Sequence, residues 1–166
     1  MPVSFPSADT CRIARCSAGT ALPDRCAAFI AATWPTLHAA GASWAGFYFD
    51  RPGAPDAERL VLGAREPKPA CSPIGLHGAC GRCLRSRSIL VVRDVASLGA
   101  GYVACDPRDR SELVLPCLRA DGTAWGVLDL DSFEVGCFSE AYGRALWSAL
   151  VAAGLTADGS VPMETV

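Results

Sequence analysis

The chain has 166 residues, a net charge of −2 and nine cysteines. That length suits one domain able to bury its own core, and the near-neutral charge excludes the broad basic field that nucleic acid or an anionic membrane requires. No stretch approaches the roughly 18 consecutive apolar residues of a membrane span, and the N-terminus MPVSFPSADT lacks a basic region followed by an apolar core.

A cytoplasmic placement is therefore expected, with a small partner and neither nucleic acid nor membrane. Nine cysteines at 11, 16, 26, 71, 80, 83, 105, 117 and 137 are many for a reducing compartment, and the odd count argues against a fully paired secreted framework. Redox or metal chemistry is the alternative use.

In chain order, residues 1–20 form an N-terminal extension with Pro2 and Pro6 and a short helical pattern from Ser7 or Asp9. Its Cys11 and Cys16 share no helix face and read as packing or surface thiols. From Pro23, the positions Cys26, Phe29, Ile30, Thr33, Trp34 and Leu37 follow the spacing of one helix face, which Gly41 ends. WAGFYFD follows as a strand with Trp44, Gly46 and Tyr48 on one side and Ala45, Phe47 and Phe49 on the other. Trp44 and Tyr48 then bracket a gap, either as core or as pocket walls. A turn over Arg51 to Glu58 leads into RLVLG, a hairpin partner.

The segment AREPKPACSPIGLHGACGRCLRSRS is too rich in proline and glycine for regular structure, except for a short helix over Ala79 to Arg87. Loops longer than about 12–15 residues inside a domain are usually binding segments or lids. ILVVRDV reads as a strand, and ASLGAGYVACDPRDRS as a second long loop. ELVLPCL and TAWGVLDLD form a meander around the turn at Ala120, Asp121 and Gly122. Ser139 caps a last helix with Tyr142, Ala145, Leu146, Ala149, Leu150 and Ala153 on its apolar face. The tail from 158 to 166 is expected to fray. This order is α+β: an antiparallel sheet with helices on one face and the long loops and short helix on the other.

Cys105 stands out because a cysteine in a polar loop is unlike the usual buried thiol. It is a candidate nucleophile, with Arg108, Arg110 or loop amides expected to lower its pKa and a cysteine of the first loop to resolve it as a disulfide. The competing reading is a zinc site of Cys71, Cys80, Cys83 and Cys105, although only Cys80 and Cys83 have the Cys-x-x-Cys spacing of a zinc knuckle. On VLDLD the period of two puts Asp129 and Asp131 on one face, as a solvated edge or as ligands for an ammonium group, with Glu112 near the same place. Cys26 and Cys117 fit core positions, Cys137 a loop beside Phe138, and His38 and His77 the surface.

The strings SWAGFY, LVLG, AC followed by CG, YVACD, SELVLP and GVLDLDS, from about Ser43 to Phe138, resemble the free methionine-R-sulfoxide reductases, single-domain enzymes of GAF fold. The resemblance implies that Cys105 attacks the sulfoxide, Cys71 resolves it and Cys80 takes part in disulfide exchange. Cys83 stands where that family does not normally have cysteine and is a further candidate resolver. Trp44 and Tyr48 would wall the methyl-sulfoxide end of the pocket, while Glu112, Asp129 and Asp131 would grip the amino group and assist at the oxygen. Clustered carboxylates suit both tasks, because crowding keeps one protonated near neutral pH and an ammonium marks a free amino acid. The implied cycle needs no bound cofactor and no metal. It draws reducing equivalents from NADPH through a thioredoxin-like partner and leaves a homodimer open. A non-catalytic GAF sensor of small molecules or redox state is the alternative.

Overall fold

The computed structural model describes residues 20–102 and 104–166. The N-terminal pattern with Cys11 and Cys16 lies outside the described residues. Alternating apolar strands pair into a six-stranded sheet: β1 (Trp44–Asp50), β2 (Leu60–Glu66), β3 (Ile89–Val92), β4 (Ser111–Leu118), β5 (Ala124–Ser132) and β6 (Met163–Thr165), in the order β2-β1-β5-β4-β3-β6. The period of two sends the side chains of each strand alternately into two cores. One holds Phe47, Leu113, Leu128 and Leu130 beneath α1 (Leu22–Ala39) and α3 (Glu140–Ala152). The other holds Trp44, Tyr48, Val114 and Val127 beneath the short α2 (Ala79–Ser86) and the long loops.

Local signals set most boundaries. Pro23 occupies the first turn of α1, where its missing N–H costs nothing. Gly41, at φ 103°, turns the chain out of the helix in a conformation side chains resist. Ser139 Oγ accepts the Tyr142 N–H at 3.1 Å to cap α3, and Asp121 Oδ1 accepts the Thr123 N–H at 2.9 Å to close the β4–β5 turn.

Three expectations need correction. The tail does not fray: β6 pairs in parallel with β3, with Ile89 opposite Met163 and Val91 opposite Thr165. The sheet is therefore mixed rather than antiparallel. A three-residue strand has no period to read, and it forms because it satisfies the otherwise open edge of β3. Arg82 of α2 also pairs with Glu164. The third correction concerns strand ends: β2 runs on to Glu66, while β3 stops at Val92 because Asp94 caps a 3-10 turn through the Ala96 N–H.

α2 sits close against the first loop. A Cβ on Gly81 would lie 2.2 Å from the carbonyl oxygen of Leu76, a backbone atom that cannot swing aside. Alanine favours a helix by only about 1 kcal/mol over glycine, whereas overpacking typically costs about 1–3 kcal/mol. Gly81→Ala is therefore expected to lower the melting temperature by several degrees in a thermal-shift assay. An unchanged or higher value would show that this approach does not fix α2.

Candidate active site

Glu112, Asp129 and Asp131 come together through register. Asp131 pairs with Glu112 across β4 and β5 and with Trp44 across β1, while Asp129 lies one step along, opposite Val114 and Gly46. Period two points all three acids to the α2 side, and all three are buried. Gly46 leaves room there, since a Cβ on it would meet the Trp44 ring at 2.3 Å. The two long loops and the N-terminus of α2 cover the acids and enclose a cavity of about 260 Å³. Its lining includes Cys71, Cys80, Cys105, Glu112, Asp129 and Asp131.

The two loops clasp each other. Lys68 Nζ reaches Asp106 Oδ2 at 2.8 Å, and the Cys105 thiol is hydrogen-bonded to the side chain and backbone of Cys71. Trp44 Nε1 donates to the Lys68 carbonyl at 2.8 Å, and Tyr48 Oη donates to the Cys71 carbonyl at 2.9 Å. These two rings therefore hold the first loop. Trp44 also lines a smaller adjoining cleft with Cys105 and Asp131, but neither ring lines the main cavity.

Cys71 and Cys105 reach solvent, whereas Cys80 and Cys83 are buried. Although residue 105 is exposed, desolvation of its thiol, followed by the bond to Cys71, pushes its pKa up to about 12. The expected lowering by Arg108 or Arg110 does not occur. Arg108 is bound to Asp106 at 2.8 Å and lies over the Phe133 ring, so its charge is already engaged. Cys83 does not line the cavity, so the four cysteines of the zinc reading do not converge. Among the described residues the donor set that converges is Cys80, Glu112 and Asp129, with atoms within 4.8 Å of one another. A thiol with two carboxylates would suit a zinc-like cation, and the same carboxylates suit an ammonium.

The protons follow a clear order. Burial and then Asp129 push Glu112 well above the ordinary carboxylate range, so Glu112 keeps its proton and donates a hydrogen bond to Asp129. Cys80 donates to Asp129 as well. Burial, opposed by these two donors, leaves Asp129 at about 7. Its Oδ1 is buried with no hydrogen-bond partner among the described residues. Asp131 is pushed up by burial and by the other two acids.

Because the folded state raises the Asp129 pKa from 3.8 to about 7, the folded protein holds that proton more tightly than the unfolded chain. The associated stability is present below about pH 4 and is lost as pH rises through 7. Asp129→Asn removes this pH-dependent loss. It is expected to raise ligand-free stability at pH 8 by about 1–3 kcal/mol, or about 3–10 °C, with little gain at pH 4. Equal effects at the two pH values in thermal melts would contradict this assignment.

Sequence reasoning passed over Tyr102. Its Oη donates to Glu112 Oε2 at 2.9 Å and the residue lines the cavity. Its place three residues before Cys105 was the available signal. Asp109 was also missed: it is buried and accepts the Asp106 N–H at 3.2 Å, which shapes the Cys105 loop. His77 is exposed, as expected, but stands in the lining.

The sequence profile described as GAF domain matches residues 8–148. A free methionine-R-sulfoxide reductase of Saccharomyces cerevisiae is 36% identical over 93 residues, covering 55% of this chain and 50% of that protein. The chain spans about half the length of the curated relatives it matches. The free methionine-R-sulfoxide reductase of Neisseria meningitidis, solved in complex with its substrate, superposes with a TM-score of 0.73 at 27% identity, over 87% of this chain and 83% of that one. A protein of Burkholderia vietnamiensis described as a GAF sensor superposes with a TM-score of 0.74 at 32% identity, over 90% of this chain and 89% of that one.

Proposed function

The chain belongs to the GAF domain family, and from that premise we propose that it reduces free L-methionine (R)-S-oxide to L-methionine by thiol chemistry. One observation carries the reading: two hydrogen-bonded thiols at the surface open onto a small cavity floored by three buried acids, one of them with an unpartnered oxygen. The reductases among its relatives support the same choice.

The substrate ammonium binds Asp129, whose buried Oδ1 lacks a partner. The substrate carboxylate faces the N-terminus of α2, where Gly78, Ala79 and Cys80 line the cavity and no side chain caps the helix. These two ends together select a free amino acid. The Cys105 thiolate attacks the sulfoxide sulfur while a protonated carboxyl, Glu112 or Asp131, supplies the proton that the oxygen needs. Oxygen passes to Cys105 as a sulfenic acid and methionine leaves. Cys71, already beside Cys105, displaces water to form a disulfide, and a thioredoxin-type dithiol of the cytoplasm restores both thiols. The bound ammonium also offsets the negative field of Asp129, one of the causes that hold the Cys105 pKa up. The resting thiol is thereby less reactive than the substrate-bound one.

The test is NADPH consumption coupled through thioredoxin and its reductase. Turnover is expected with the free R-sulfoxide and at least about 10²-fold less with its N-acetyl derivative, because the site's buried acid then loses its partner. Binding without turnover would instead favour a sensor like the Burkholderia protein.

A further inference from the structure

Cys83 has no part in the cycle above, yet it lies one helical turn after Cys80 on the inner face of α2, and both residues are buried. Cys80 borders the cavity that also holds Cys71 and Cys105. Resting on the proposed reductase activity, we propose that Cys80 and Cys83 form a second redox pair. It would take over the disulfide from Cys71 and Cys105 and so allow two turnovers before an external reductant is needed.

Helix geometry permits the bond. Residues i and i+3 of a helix have Cα atoms about 5 Å apart, inside the usual disulfide range of about 4.4–6.8 Å. Their Cβ atoms, about 5–6 Å apart, must close by about 1–2 Å to reach disulfide spacing. Cys80 is the second residue of α2, and its own N–H has no intrahelical partner, so its backbone can adjust more freely than one in the helix interior. The surroundings favour the product: Cys83 belongs to the apolar cluster with Leu84, Leu90 and Val114, and a disulfide there carries no proton or charge to desolvate.

The exchange conserves atoms and electrons. Cys80 passes its proton to Asp129, which already accepts a hydrogen bond from it, and its sulfur attacks Sγ of Cys71. The bond between Cys71 and Cys105 breaks, and Cys105 leaves as a thiolate. Cys83 then attacks Sγ of Cys80 as its proton passes to the departing sulfur, and Cys71 leaves as the thiol. The pair at 80 and 83 has lost two electrons and the pair at 71 and 105 has gained them. A second sulfoxide can now be reduced at Cys105. External dithiol meets the exposed pair, and the reverse sequence empties the buried one.

Trypsin separates the pair, because Arg82 lies between the two cysteines. Cys71 and Cys80 fall in the peptide 66–82, Cys83 in the tripeptide 83–85 and Cys105 in 94–108. Fully reduced protein is mixed anaerobically with excess free methionine R-sulfoxide and no reductant, quenched in acid, alkylated under denaturing conditions and digested. The expected result is two methionines released per chain, peptide 83–85 disulfide-linked to 66–82, and no dimedone-reactive sulfenic acid. In Cys83→Ala the second equivalent is expected to leave Cys105 as a dimedone-reactive sulfenic acid instead. Methionine release with Cys83 recovered as the alkylated thiol in the unsubstituted protein overturns the proposal, whether or not the variant folds. If no methionine is released, the reductase reading fails. Treatment of the same protein and of Cys71→Ser with diamide then decides the pair by itself: a link between 83–85 and 66–82 in both supports it, and free Cys83, or loss of the link in Cys71→Ser, overturns it.

Discussion

Cys105→Ser is expected to lower turnover of free methionine R-sulfoxide by at least about 10³-fold, since removing a nucleophile that acts in concert with its neighbours typically costs that much or more. The thiols at 71 and 105 are both exposed and both line the cavity, but Cys105 alone of the two also borders the adjoining cleft with Trp44 and Asp131. Cys80 is a poorer nucleophile for the first step, because it is buried and its proton is shared with Asp129. Cys71→Ser is a useful companion. It should still release methionine and leave a dimedone-reactive Cys105, because attack precedes disulfide formation. Full activity of Cys105→Ser in the thioredoxin-coupled assay would remove Cys105 from the chemistry even if the chain proves to be a reductase.

Glu112→Gln should lower kcat/KM by at least about 10²-fold, the usual contribution of a general acid. Glu112 faces Asp131 directly across the strand pair, holds its proton beside Asp129, and takes a hydrogen bond from Tyr102. Glutamine keeps the shape and a donor to Asp129 but has no acidic proton to give to the sulfoxide oxygen. A wild-type rate in this variant would dismiss Glu112 as the acid.

The pH profile follows from the same groups. Asp129 titrates at about 7 and Cys105 at about 12 in the free protein. The proposed mechanism needs an ionised Asp129 for the ammonium, a thiolate at Cys105 and a proton retained on Glu112 or Asp131. Lowering the pH through 7 adds a proton to Asp129 and moves the thiol further from ionisation. The logarithm of kcat/KM is therefore expected to fall as pH drops below about 7, and the rate should not reach its maximum in acid. A profile that rises toward acid pH would mean that these groups are not the ones that titrate.

Much of this site was readable from local pattern. Alternation along WAGFYFD and VLDLD is a property of the extended backbone, so it assigned Asp129 and Asp131 to one face and Trp44 and Tyr48 to one face before any partner strand was known. The polar setting of Cys105 marked it as unusual for the same kind of reason, since a loop rich in Pro, Asp and Arg does not bury a thiol for packing. The apolar spacing of α1, the serine cap of α3 and the Asp-Gly turn between β4 and β5 are likewise determined within a few residues.

What the tertiary structure decided depends on residues far apart in the chain. The opposition of Glu112 and Asp131 is a matter of strand register. That Cys71 and Cys105 meet at one cavity depends on how two loops close, held by Lys68 with Asp106 and by Tyr48 with the Cys71 carbonyl. Arg108 was free to act on Cys105 in the sequence and is bound to Asp106 in the fold. The tail is a strand only because β3 offers it an edge. Periodicity records which way a side chain points, whereas a proton, a disulfide or an edge strand depends on what lies opposite, and that is settled when distant segments pack together.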